Sequence, residues 1–144
     1  LFADIRIGSE RAQMGEIFIK RGLICDIGGL GRLPSLVGAS KAAELLFTGD
    51  VVDAHEAERI GILSRVVAHD TLMDEARSLA GRIAENAPLA LRYMKEGLRI
   101  SAGQDYQALG GWVSGTLGKL FQTEDHSEGV ASFLEKRPPQ FKGR

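Results

Sequence analysis

The side chains able to move a proton, attack an electrophile or hold a metal are few, and several fall in one stretch of the chain. Asp26 lies in the run Ile24-Cys25-Asp26-Ile27-Gly28-Gly29. Ile24, Cys25 and Ile27 give it apolar neighbours, and such a setting raises a carboxylate's pKa toward values useful for acid–base work. The same aspartate precedes a glycine pair that leads into a helix, where Asp is a preferred N-cap. Proton transfer and helix capping are both open to it. Cys25 has no histidine near it in sequence, so an inert packed thiol is the reading adopted. His55, His69 and His126 stand isolated among helical polar positions without metal-ligand spacing, and no metal is expected. Lys20-Arg21 offers a cationic edge to a phosphate, or simply a solvated strand end. Trp112 and Phe121 keep near-helical spacing and read as core or interface.

These residues need elements to hold them. In residues 1–33 the β-branched Ile5, Ile7, Ile17 and Ile19 alternate with other residues between glycines, which predicts short strands and tight turns. From residue 38 the apolar period becomes helical. Ser40 caps a helix over 41–47 that ends at Thr48-Gly49. Asp53 caps 54–59, Gly61 closes it, and 62–67 forms a short strand. Further helices are predicted from Asp70-Thr71 through Ile83, from Pro88 or Leu89 to Ile100, over 105–122 and over 125–136, with Pro138-Pro139 ending the series. Gly110, Gly111, Gly115 and Gly118 each cost about 1 kcal/mol in a helix interior, so this segment predicts either close backbone packing or weak helicity.

Composition bounds the function. The 144 residues are the size of one domain, with 44% hydrophobic and 26% charged residues, both near globular averages. The net charge of −1, from 18 basic and 19 acidic residues, excludes a dedicated nucleic-acid surface. Apolar runs such as Leu45-Leu46-Phe47 are too short to cross a bilayer. A single cysteine rules out an internal disulfide and fits a cytoplasmic location. The opening Leu1-Phe2-Ala3-Asp4-Ile5-Arg6 reads as the middle of something, and a fragment or truncation is expected.

The chain resembles the crotonase superfamily, the enoyl-CoA hydratase/isomerase family. Ala3-Asp4-Ile5-Arg6-Ile7 with Ala12-Gln13-Met14-Gly15 resembles the segment after that family's first oxyanion loop. Gly22-Leu23-Ile24 through Gly28-Gly29 and Arg32-Leu33-Pro34 resembles its next active-site loop. Leu46-Phe47-Thr48-Gly49, residues 54–61 and Val66-Val67 are similar to the "LLTG…DAEEAERIGLVNRVV" signature, and the tail around residues 129–137 and 141–143 to its characteristic ending. The resemblance covers nearly the whole chain.

It implies an α/β fold, the second half of a crotonase-like ββα superhelix. Residues 1–67 would carry the core with its active-site loop, and 68–144 a helical trimerisation and CoA-capping region. It implies an acyl-CoA substrate, with coenzyme A as part of that substrate and no separate cofactor, and assembly as a homotrimer or dimer of trimers. It also implies a missing N-terminal half bearing the adenine loop, both oxyanion amides and the first catalytic glutamate, without which the 144 residues are expected to be inactive. The chemistry is an enolate stabilised by two backbone amides, with a carboxylate moving the proton. In the ungapped register Phe18 occupies the position of the hydratases' second glutamate; a two-residue gap would place Glu16 there instead. The place of Asp26 matches a catalytic aspartate of the family's double-bond isomerases. Asp26 is therefore the catalytic candidate, with Glu16, Phe18, Ile24, Cys25 and Gly28 lining the substrate site. Double-bond isomerisation is favoured over hydration, and a non-catalytic CoA-binding or assembly module is the rival. Phe133, Lys136 and Arg137 resemble the tail region that, in the family, packs near a neighbouring subunit's CoA site.

Overall fold

The computed structural model describes residues 1–101, 103 and 105–144. The chain divides into two compact units, Leu1–Ser78 and Leu79–Arg144.

In the first unit, β1 (Ile7–Ser9) pairs in parallel with β4 (Arg65–Val67), Gly8 opposite Val66. β2 (Gln13–Gly15) pairs antiparallel with β3 (Val51–Asp53), Met14 opposite Val52. Gly8 lets the buried Leu63 side chain lie close against β1, and a Cβ there would force that side chain to shift. Between the strands run α1 (Leu33–Val37) and α2 (Ala39–Thr48), and α3 (Ala54–Arg59) follows β3. Leu33, Ala42, Leu45, Ala57, Ile62 and Leu63 form the buried core. α2 and α3 thus contribute the apolar stripes that their period promised.

Several expectations are met in detail. Asp53 caps α3 by accepting from the Glu56 N–H at 2.8 Å, Gly49 closes α2 in the left-handed region, and Gly61 has φ +87°. Others are corrected. Residues 17–21 form a 3-10 turn, not a strand, closed by Gly22 at φ +70°. The alternation of Ile17 and Ile19 suits a ladder, yet among the described residues this segment has no strand partner. Two of its carbonyls are satisfied locally instead, that of Ile19 accepting from the Gly22 N–H and that of Phe18 from the Leu23 N–H. The strand expected over 62–67 is confined to Arg65–Val67, because the Leu63 N–H donates back to the Ala57 carbonyl of α3 and the pairing with β1 begins only at Arg65. The cap of α2 is Gly38, not Ser40.

α4 (Leu72–Ala84) follows a 3-10 turn at His69–Thr71 and runs past the boundary between the units. The second unit holds α5 (Pro88–Ser101), α6 (Tyr106–Leu120), capped by Asp105, and α7 (Glu124–Glu135), capped by Thr123. Trp112 of α6 lies over Gly97 of α5, where an added Cβ would come within 2.9 Å of the indole. The four glycines of α6 meet nothing within 4 Å. α6 is a formed helix, and among the described residues nothing packs within 4 Å of where side chains on those glycines would begin. The tail folds back on α7. The Asp125 carboxylate, buried, accepts from the Lys142 and Gly143 N–H groups, and Glu128 accepts from Arg137 and the Gln140 N–H. No helix among the described residues is long and apolar enough to cross a membrane.

Candidate active site

The site candidates fall within the first unit, on the chain between β2 and α1. β2 ends at Gly15 and delivers Glu16 into the start of the 3-10 turn. After Gly22 the chain runs without regular structure to Ile27, then winds through a π-type turn, Gly28–Arg32, into α1. Asp26 organises that turn. Its Oδ1 accepts from the Gly28 N–H at 2.8 Å and the Gly29 N–H at 3.1 Å, while its carbonyl accepts from Leu30. The capping reading of Asp26 is therefore met. Its side chain remains exposed at the start of the turn.

Gly28 and Gly29 are both buried, and each meets a different carboxylate. A Cβ on Gly28 would lie 3.0 Å from Asp26 Oδ1, and one on Gly29 would lie 3.3 Å from Glu16 Cδ and 2.7 Å from Cys25 Sγ. The glycine pair thus lets two acidic side chains and a thiol crowd one short piece of backbone. Glu16 is partly buried, and burial, followed by the negative charge of Asp26, pushes its carboxyl above the ordinary carboxylate range, against the opposing pull of the Leu1 amine. A carboxyl raised in this way can hold and release a proton nearer neutral pH. Burial, with Glu16 and Asp26 adding to it, also pushes up the Cys25 thiol, consistent with an inert packed cysteine rather than a nucleophile.

Glu16 stands between two cavities. One, of about 140 Å³, is lined by Glu16, Phe18, Leu23, Ile24, Cys25 and Phe47 among others. The other, of about 170 Å³, runs from Glu16 to Met14, Leu45 and Asp50. Four of the residues expected to line a substrate site, Glu16, Phe18, Ile24 and Cys25, therefore share one apolar cavity. Gly28 and Asp26 are adjacent in the turn but are not among its lining residues. Leu46 and Phe47 were not anticipated. They read as part of the apolar run of α2, although Phe47 is 77% exposed, and an apolar residue lying off a helix's buried stripe is the signal that marks it.

The other candidates are dispersed. Lys20 packs its stem over Gly49. His69 Nδ1 lies 3.2 Å from Ser9 Oγ, and His126 meets the Phe121 ring edge-on. No cluster of possible metal ligands occurs among the described residues. Arg137 is paired with Glu128 and Glu135, and Phe133 is exposed.

A strand-flanked acidic loop beside an apolar cavity, built on short strands and packed helices, defines a family on comparison. The enoyl-CoA hydratase/isomerase family matches residues 1–144, and the chain belongs to it. The chain is 45% identical over 130 residues to a short-chain-enoyl-CoA hydratase of Clostridioides difficile, covering 90% of this chain and 84% of that protein. It is 37% identical over 138 residues to a crotonyl-CoA hydratase of Syntrophomonas wolfei, covering 96% of this chain and 53% of that one. An enoyl-CoA hydratase structure from Bacillus anthracis superposes with a TM-score of 0.96 at 34% identity, covering 99% of this chain and 55% of that one. The chain thus spans little more than half of the longer relatives, and its fold is that of the crotonase superfamily.

Proposed function

We propose that these residues supply the acid–base part of an enzyme acting on an acyl-CoA thioester through an enolate, with double-bond migration as the reaction. Asp26 removes a proton from one carbon of the acyl chain and returns it to another, and Glu16 lines the apolar cavity beside the turn. The observation that carries this reading is the Asp26 carboxylate fixed at the start of the turn by the Gly28 and Gly29 N–H groups. Migration needs only one proton removed and returned nearby, so a single well-placed carboxylate suffices, and Phe18 cannot serve as a second. Hydration is the alternative. It requires a base for water and an acid for the α-carbon, and the raised Glu16 beside Asp26, together with the hydratase names of the relatives, favours it.

We further infer that the 144 residues act as the C-terminal half of a subunit, with residues 1–67 as site core and 68–144 as a trimerisation and CoA-capping region in a homotrimer or dimer of trimers. The 53% share of the S. wolfei relative supports this, while the 84% share of the C. difficile one does not. A cytoplasmic location rests on the single free thiol. The test of reaction type is turnover of a β,γ-enoyl-CoA against crotonyl-CoA by the whole protein. Faster migration than hydration is expected, and the reverse would make it a hydratase.

A further inference from the structure

The thiol of Cys25 has no part in the proton transfer just described, yet it lines the same cavity and crowds the same glycine. We propose that Cys25 is a positioning residue: packed against Gly29, it forms the apolar wall beside the Glu16 carboxyl. This rests on the reading above only in taking the cavity that Glu16 lines as part of the site.

The geometry is local. Cys25 is 9% exposed, and Gly29 beside it is buried. The point where a Gly29 Cβ would stand lies 2.7 Å from Cys25 Sγ, 2.9 Å from Cys25 Cβ and 3.3 Å from Glu16 Cδ. Thiol and carboxyl therefore close on one point from different residues, and only the missing side chain at 29 leaves room for both. The cavity they share is otherwise lined by Phe18, Ile19, Leu23, Ile24, Leu30, Leu46 and Phe47, so Glu16 is the sole carboxylate among its lining residues. A thiol is a small hydrophobe with a weak donor. It keeps that wall apolar, whereas a hydroxyl in its place would make it polar and so favour the ionised carboxylate. The charges that reach Glu16 are those of Asp26 from the turn and the Leu1 amine, with Asp50 on the second cavity. None of them changes when residue 25 is replaced, so a difference between variants reports on the wall.

The test is an NMR titration of the Glu16 side-chain carboxyl carbon in the whole protein, with folding checked by thermal melts. Cys25→Ser should lower the Glu16 midpoint by about half a pH unit or more, and Cys25→Ala, which stays apolar, should lower it less. Cys25→Thr serves as a second polar wall should the serine variant fail to fold. A folded Ser or Thr variant that titrates like wild type would overturn the proposal, as would an alanine variant shifted further than the serine one. The titration needs no turnover. A wild-type protein inactive on every enoyl-CoA would sink the proposed function while leaving this contact to be judged on its own.

Discussion

Asp26 shows how one side chain answers to two demands. Its Oδ1 is engaged by the Gly28 and Gly29 N–H groups, so capping, an ordinary structural task, is part of what places the carboxylate at the start of the turn. The sequence made both roles legible because the residue type suits both, and only coordinates could show Glu16 brought to the other side of the glycine pair. That approach depends on the chain reversing through the 3-10 turn at 17–21, which an alternating Ile pattern conceals. A different carboxylate allows a test by pH. Glu128 is held down to about 2 by the Arg137 guanidinium and the Gln140 N–H. A depressed carboxylate contributes its stabilisation above the unfolded value and loses it as pH falls through the folded one. The hold of Glu128 on the tail should be complete above 4.5 and fade toward pH 2. The Gln140 amide resonance should report a midpoint near 2, and Glu128→Gln should abolish that transition. A midpoint near 4.5 would show that the pairing is not made in solution.

At the scale of elements, legibility tracked local chemistry. Asp53, Gly49 and Gly61 mark their helix ends because capping and left-handed backbone are decided by the residue itself and its near neighbours. Strands were the weak point, since a strand exists only through its partner. Residues 62–67 have strand-like composition throughout, but pairing with β1 reaches only Arg65–Val67 while Ile62 and Leu63 turn into the core. α6 was ambiguous for a related reason, because whether its glycines face a neighbour cannot be read from spacing. The role of Asp53 can be measured. Asp53→Ala removes the acceptor of the Glu56 N–H and should cost about 1 kcal/mol of stability in urea unfolding, whereas Asp53→Asn should cost much less. Equal losses in both variants would mean that charge, not capping, matters there.

On the scale of the whole molecule, the second unit carries an apolar groove of about 550 Å³, lined in part by Phe121, Val130, Phe133 and Leu134. Phe133 is 82% and Leu134 73% exposed, and apolar patches of this kind mark interaction surfaces. The inferred trimer would bury such residues, and closed cyclic assemblies are the usual solution for soluble homo-oligomers. Light scattering should give a trimer or hexamer mass for the whole protein, and a stable monomer at micromolar concentration would contradict this. Fold and family were readable because the motifs covering the chain's loops and helix ends survive as short strings; reaction type was not, because it turns on which of two carboxylates meets the substrate. The central claim, that Asp26 moves a proton on an acyl-CoA, is tested most directly by following deuterium uptake into a β,γ-enoyl-CoA in D2O with wild type, Asp26→Asn and Glu16→Gln. Asp26→Asn, which keeps an oxygen for the turn, should slow uptake by about 10²-fold or more with little change in thermal midpoint, and Glu16→Gln should slow it less. Wild-type uptake in both variants would contradict the account.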